Sequence, residues 1–389
     1  MSISSHSLRP LSVVKRVGVH GVKTLAKIAG LGLVAGGAGV AWGMAETRAF
    51  TMRHRTISFD REMVDAENMG ELPEKPLRIL HLSDLHLRTG QTKKQKWVTS
   101  LASYKPDLVV LTGDLISEAK ALPVLLETLK PFLALPAVYV YGSNDYCAPY
   151  FKNPFLYLLG PSSQNEKQKR GCEGLPWHDM EAAFKEAGWV NLNNTRGHCD
   201  IGQWSINFVG VDDAHISRDR YPAAPAEGVE DDGVVGKARM KIGVTHAPYA
   251  RVLDAMSEEK CHVIFAGHTH GGQVCLPKVG ALVTNCDLPR LYASGLFQWP
   301  PTGEEPRCAD AQVSFGQRAT VTALTSPDQP KAPLYEEAEA LRVSREDWLP
   351  SRGVRRAWVN VSAGLGTSPF APVRIACRPE AIVIDIVRG

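Results

Sequence analysis

No two cysteines in this sequence stand two residues apart, the gap that zinc ribbons and dithiol redox motifs use, so a chain built for structural zinc or thiol chemistry is disfavoured. Its eight cysteines (147, 172, 199, 261, 275, 286, 308 and 377) show no spacing of a disulfide framework, and a chain of 389 residues does not need one. Cys261, Cys275 and Cys377 fall in apolar runs and read as buried free thiols. A charge of one sign is also missing. The net charge is +3, and the 44 Lys and Arg are scattered rather than striped, which argues against a nucleic-acid partner. Apolar residues make up 44% and charged residues 22%, enough for a sizeable core, and no internal repeat is visible.

Long hydrophobic runs are absent except for one. Ile28 to Ala45 are 18 consecutive uncharged residues, six of them glycine. As a helix they span roughly 27 Å, barely a hydrocarbon core. Gly32/Gly36 and Gly39/Gly43 have the four-residue spacing that lets membrane helices pack closely. A basic segment, residues 1–27, precedes the run, and Arg48, Arg53, Arg55 and Arg61 follow it, so flanking charge gives almost no orientation. The expectation is a membrane anchor over 28–45 that places the protein at the cell membrane. A cleaved signal peptide and a soluble glycine-rich helix, the latter implying a cytoplasmic protein, are the rival readings.

Beyond the anchor, Phe50–Phe59 reads as a strand and Glu62–Pro76 as a linker. Short apolar runs at Leu77–Leu82, Leu108–Thr112 and Ala137–Tyr141 then alternate with helical patterns at Lys96–Tyr104, Leu122–Phe132 and Met180–Ala187. Further strands are expected at Trp204–Val211, Lys241–Thr245, His262–Ala266, Trp358–Ser362 and Ala381–Val387. This alternation argues for a layered α/β domain, with the later strands forming a second sheet. Pro161–Gly174, Tyr221–Gly236 and the long Leu291–Arg356 stretch read as loops, the last as a disordered insertion.

Each strand ends in a polar cluster. The clusters are Ser83-Asp84-Leu85-His86, Gly113-Asp114, Gly142-Ser143-Asn144-Asp145, Thr245-His246-Ala247-Pro248 and Gly267-His268-Thr269-His270-Gly271-Gly272. Ligand sites form at the carboxyl ends of strands in α/β sheets. Singly, a Gly-Asp or a lone His is a turn or a structural histidine; five clusters in this order are specific. His81 and His262, inside apolar runs, read as core residues.

These blocks, LSDLH (82–86), TGD (112–114), GSND (142–145), THAP (245–248) and GHTHGGQ (267–273), resemble those of the calcineurin-like metallophosphoesterases. With the tail VSAGLGTSPFAPVRIACRPE (361–380) and the N-terminal apolar run, the chain is most similar to the bacterial membrane-tethered branch, which includes hydrolases of the UDP-diacylglucosamine pyrophosphate bond. The resemblance implies a phosphoesterase domain over 50–389, a four-layer αββα sandwich of two mixed sheets. It also implies two divalent metal ions bridged by Asp114. Asp84, His86 and His270 would complete one site; Asn144 or its neighbour, His246 and His268 the other. Imidazole and carboxylate together suit Mn, Fe or Zn better than Mg. A hydroxide between the ions would attack phosphorus in a phosphodiester or pyrophosphate, with a lipid-linked or nucleotide-lipid substrate as one candidate. A phosphorylated small molecule or lipid and the bilayer are thus the expected partners.

The chain departs from the family at GSND, where the family carries Gly-Asn-His-Asp or Gly-Asn-His-Glu. Either Ser143 or Asn144 takes the asparagine place, and in neither register is there a histidine to protonate the leaving group. His215 is a candidate replacement acid, or equally a surface-loop residue. Arg374 would contact a substrate phosphate or cap a loop. The missing histidine keeps open a second class of function, a membrane-attached metal- or phosphate-binding module with weakened catalysis.

Overall fold

The computed structural model describes residues 37–149, 174–223, 236–276, 279–301, 313–315, 317–324, 356–368 and 372–389. The segment 1–36, residues 161–173 of the first expected loop and 224–235 of the second lie outside them. In chain order the strands are β1 (Thr51–Phe59), β2 (Leu77–Leu82), β3 (Leu108–Leu111), β4 (Ala137–Tyr139), β5 (Val190–Asn191), β6 (Thr195–Ile201), β7 (Trp204–Gly210), β8 (Ala238–Val244), β9 (Val263–Ala266), β10 (Cys275–Leu276), β11 (Gly280–Ala281), β12 (Gly295–Trp299), β13 (Val313–Phe315), β14 (Gln317–Leu324), β15 (Ala357–Val361) and β16 (Glu380–Arg388).

They form two mixed sheets and a small hairpin. The first sheet has the order β13-β14-β1-β16-β2-β3-β4-β5, the second β12-β15-β9-β8-β7-β6, and β10 pairs with β11. In the first, β2, β3, β4 and β5 run parallel. In the second, β7, β8, β9 and β15 do. Their carboxyl ends deliver the polar clusters.

The layering follows from side-chain alternation along the strands. Ile79 of β2, Val110 of β3 and Ile384 of β16 face inward and pack against Phe208, Ile242 and Phe265 of the second sheet. The opposite faces of the first sheet, with Leu80, Val109 and Val383, pack against Val98, Leu125, Leu129 and Phe184 of the helices Thr92–Ser100, Leu122–Leu129 and Trp177–Glu186. The outer face of the second sheet, with Val209, Ile264 and Val359, packs against Val252, Leu253 and Met256 of the helix Ala250–Glu258. The result is the helix–sheet–sheet–helix order that the resemblance implies.

Several elements depart from the sequence reading. Strand β12 and the β13–β14 pair fall inside the expected insertion 291–356, and β14 pairs antiparallel with β1 along the edge of the first sheet. β12 and β13 are edge strands, which need no two-sided apolar run, so their pattern is weak. The helix Arg61–Ala66 covers residues 62–66 of the expected linker. Cys147 is disulfide-bonded, contrary to the reading of the cysteine spacings, while Cys261, Cys275 and Cys377 remain thiols as expected, the first buried and the other two partly so. Of the apolar run 28–45, only residues from 37 onward are described. They form a helix over 37–46, and no helix among the described residues is long and apolar enough to cross a membrane.

Candidate metal centre

Asp84, His86, Asp114, His246, His268 and His270 lie on the turns that leave β2, β3, β8 and β9, and all six are buried. Five of them, Asp84, His86, Asp114, His268 and His270, have positive φ, between 41° and 69°. Non-glycine residues avoid this region, and clusters of such strain occur where a site over-determines the backbone. The reversal turns each side chain back across the end of its strand. Glycine is required next to them. A Cβ on Gly142 would collide with Asp114 Oδ1 and lie 2.7 Å from His246 Nε2. Gly364, at φ +67° in the SAGLG tail, would place one 2.6 Å from the Asp84 Cβ.

Two groups of ligand atoms result. Asp84, His86 and His270 offer atoms that all lie within 4.8 Å of one another, and so do Asp84, Asp114 and His246. Asp84 is common to both. Asp114 Oδ2 stands between the two groups, 3.3 Å from His86 Nε2 and 3.7 Å from His246 Nε2. The far nitrogens are held as metal ligands require. His246 Nδ1 donates to the Thr112 carbonyl at 2.6 Å and His86 Nδ1 meets Ser117 Oγ at 3.2 Å. That leaves Nε2 of both rings without a hydrogen bond, along with Asp84 Oδ1 and His270 Nδ1. Buried polar atoms normally find partners. Four orphans converging from three turns, two of them imidazole nitrogens whose other nitrogen is fixed by the protein, match the donor set of divalent ions. His268 and Asn144 fall outside both groups. His268 Nε2 meets the Asn285 carbonyl at 3.2 Å.

The electrostatics agree. Burial raises the Asp84 carboxyl to about 6, with Asp114 adding to it against the pull of His246. Burial also acts against ionised Asp114, but His246 and His86 outweigh it and hold that carboxyl below its ordinary value. Burial opposes charge on His246, yet Asp114, Asp213 and Asp84 push it up to about 9. Burial takes His86 down to about 4 and holds His268 and His270 well below the ordinary imidazole value. Crowded carboxylates and the neutral imidazoles of His86, His268 and His270 are what a cation stabilises, and at His246 a cation would take the place of the proton that the carboxylates favour.

The GSND loop starts a short helix, Ser143–Tyr146. The Asn144 backbone N–H donates to Asp114 Oδ1 at 2.8 Å and its Nδ2 donates to Asp114 Oδ2 at 2.7 Å. The asparagine amide therefore reaches the carboxylate that stands between the two groups. Sequence reasoning passed over Asp145. Its buried carboxylate accepts the backbone N–H groups of Asp114, Leu115 and Gly142, tying the second and third turns together. An acidic residue in the first turn of a helix was the available signal. His215 does lie at this rim: its ring centroid is 4.4 Å from that of His268, and its Nδ1 is 3.2 Å from the Tyr249 hydroxyl. Arg374 takes the loop-capping role and not the substrate-facing one. It is fully buried, and its guanidinium donates to the carbonyls of Ala363, Gly364, Gly366, His270 and Cys377. A phosphate would have to displace those carbonyls to reach it.

Residues 77–272 match the family model of the calcineurin-like phosphoesterases. The chain is similar to the Bacillus subtilis metallophosphoesterase YkoQ, 26% identical over 61% of this chain and 74% of that protein. It is similar to a bovine transmembrane protein with a metallophosphoesterase domain, 27% identical over 64% of this chain and 52% of the other. It also resembles the UDP-2,3-diacylglucosamine pyrophosphatase LpxG of Chlamydia trachomatis, 25% identical over 65% of this chain and 82% of that one. The chain thus spans about half the length of the bovine relative and more of the bacterial ones. Fold, ligand set and family model agree: the chain belongs to the calcineurin-like phosphoesterase family and is a metal-dependent phosphoric ester hydrolase.

Proposed function

We propose that this hydrolase cleaves a phosphodiester or pyrophosphate bond whose leaving group is stable as an anion, and that its substrate is lipid-linked. The observation that carries the first half is the GSND loop, where an amide on Asp114 stands at the end of the third parallel strand and no histidine does. Two divalent ions, held by Asp84, His86 and His270 and by Asp114, His246, His268 and Asn144, would supply Lewis acidity and acidify water. Manganese, iron or zinc suits these ligands better than magnesium. The chain's own part is to orient the ligands, with Asp145 fixing the turns, and to exclude bulk water by burial. Protonation of a poor leaving group falls to a residue such as His215, at the rim beside His268.

The lipid half is supported by the protein's surface and by one relative. Val40, Trp42 and Met44 on the helix over 37–46 are more than half exposed. That helix is attached beside the ligand turns. The Gly43 carbonyl accepts from the Arg374 N–H, and Glu46 accepts from the Ala376 and Cys377 N–H groups. An exposed apolar helix that carries a tryptophan suits an interfacial position. The uncharged run 28–45 leads into it and is proposed as an anchor to the cell membrane. LpxG is named for a lipid nucleotide pyrophosphate, which suggests the same substrate class here.

The test is a screen of manganese-loaded protein against a phosphomonoester, bis-nitrophenyl phosphate and UDP-2,3-diacylglucosamine, with and without vesicles. Hydrolysis of the pyrophosphate and the activated diester, and little of the alkyl monoester, is expected. Metal and phosphate binding with no turnover of any of them would instead support the binding-module reading. Full-length protein recovered wholly in the soluble fraction at low and high salt would refute the anchor.

A further inference from the structure

We propose that a directional hydrogen-bond relay from Arg55 through Asn360, His81, Thr112 and Ser83 positions the metal ligand Asp84, making His81 and Asn360 positioning residues of the site. The inference rests on the metal reading of the strand-end cluster and adds to it a set of residues no ligand motif contains.

The relay crosses the space between the two sheets. Arg55 lies on β1, His81 on β2 and Thr112 just after β3, while Asn360 comes from β15 of the second sheet. All six residues from Arg55 to Asp84 are buried. Arg55 donates to Asn360 Oδ1. Asn360 Nδ2 lies 2.7 Å from His81 Nδ1, and His81 Nε2 lies 2.8 Å from Thr112 Oγ1. Thr112 Oγ1 donates to Ser83 Oγ at 2.6 Å, and Ser83 Oγ donates to Asp84 Oδ2 at 2.5 Å.

The chemistry of the two ends fixes every direction between them. A guanidinium only donates, so the Asn360 oxygen accepts and its NH₂ must face His81. His81 Nδ1 therefore accepts, and a neutral imidazole then carries its proton on Nε2, where it donates to Thr112. The two hydroxyls pass the direction on to a carboxylate, which only accepts. No bond in the series has to be reversed. Burial, and then the nearby Arg55 charge, hold His81 down to about 3, in keeping with a neutral ring. Bonds aligned this way polarise one another, so the last one, onto Asp84, is strengthened.

The consequence at the metal site is geometric. Asp84 Oδ2 accepts from Ser83 and from the His268 N–H at 3.0 Å, while Oδ1 has no hydrogen bond. The relay thus holds one oxygen of the carboxylate and leaves the other for the ligand groups that share Asp84. The role is to orient a ligand, as outer partners of metal-binding side chains do, and loss of such a partner costs about 10- to 100-fold in metal affinity. No proton has to travel along it.

The test measures Mn²⁺ binding by titration calorimetry, with melting of the metal-free protein alongside. Thr112→Val keeps the shape and cuts the relay in its middle; about a 10- to 100-fold weaker Mn²⁺ Kd is expected. Thr112→Ser, which keeps the hydroxyl, should restore binding. Asn360→Asp places an acceptor against His81 Nδ1, reverses that link and should weaken binding similarly. A third readout needs no variant: ¹⁵N-histidine spectra of the unaltered chain should show His81 neutral with its proton on Nε2. Wild-type Mn²⁺ affinity in Thr112→Val and Asn360→Asp, or a His81 proton on Nδ1, would overturn the relay. Failure of the unaltered chain to bind Mn²⁺ would overturn the metal reading beneath it.

Discussion

The molecule holds two neighbouring buried polar clusters, and they differ in one respect. Around Arg374, five carbonyl groups close on one guanidinium and satisfy it from within the chain. Around Asp84 and Asp114, four polar atoms are left without a partner, and their turns are strained. Both clusters are buried and both were candidates for contact with a phosphate. Burial of charge does not separate structure from function here; unmet hydrogen-bonding capacity does. The first cluster completes the fold, whereas the second presents unpartnered donor atoms on strained turns, an arrangement that costs the fold stability.

The largest expected effect tests the unsatisfied cluster. Asp114→Asn should remove at least one metal and lower turnover at least about a thousandfold, the scale of several kcal/mol. The metal-free protein should melt lower than the parent, because His246, His86 and the Asn144 hydrogen bonds favour the ionised Asp114 carboxylate in the folded chain. Full metal occupancy with near-normal activity would remove Asp114 from the site. The satisfied cluster predicts the reverse. Arg374→Met should destabilise the chain by about 3 kcal/mol or more, read from denaturant midpoints, since charged hydrogen bonds to five carbonyls are lost together. Arg374→Lys should not rescue it, because one ammonium cannot reproduce a planar fork. A stable Arg374→Met whose only defect is a raised KM would erase the contrast between the clusters.

A smaller effect sharpens the boundary between them at Asn144. If Asn144 stands in the family histidine position, Asn144→His should speed the reaction of poor leaving groups by about 10- to 100-fold, within the usual range of general-acid help. Activated esters should be little changed. If Asn144 is a metal ligand, the same change should weaken metal binding and slow every substrate. Rates on both leaving-group classes with a metal titration decide between the registers.

The smallest effect concerns a satisfied carboxylate on the first sheet, beside the end of β2 remote from the ligand turns. Asp385 accepts a two-pronged bond from Arg78 and a bond from His54. Burial opposes its charge, but the Arg78 and His54 hydrogen bonds prevail and hold it below the ordinary carboxylate value. A folded pKa below the unfolded one gives stability that is present above the unfolded value, near 4, and is lost as pH falls through the folded one. Asp385→Asn should therefore cost about 1–2 kcal/mol at pH 7 and progressively less below pH 4. An equal cost at pH 7 and pH 2, by urea midpoints, would refute the assignment.

Much of this was legible in the chain. Continuous apolar runs bury on both faces, so β2, β3, β4, β8 and β9 could be read directly, and with them the turns that carry the ligands. The edge strands β6 and β13 escaped notice because an edge strand needs no such run. The ligand types and their order are also one-dimensional information.

What the sequence by itself determined is therefore the α/β alternation and the order of the candidate metal-binding side chains, since each depends on residues close together along the chain. What only the tertiary structure decided is how each candidate is used. Arg374 caps carbonyls contributed by residues 270 and 363–377, and His215 comes beside His268 from another turn. His81 reads as a core residue within its apolar run, yet it joins Arg55 of one sheet and Asn360 of the other to Asp84. The physical reason is that the satisfaction of a buried polar atom is a property of the atoms around it, and those are brought together by two sheets whose strands lie far apart along the chain, as His81 and Asn360 do at a separation of 279.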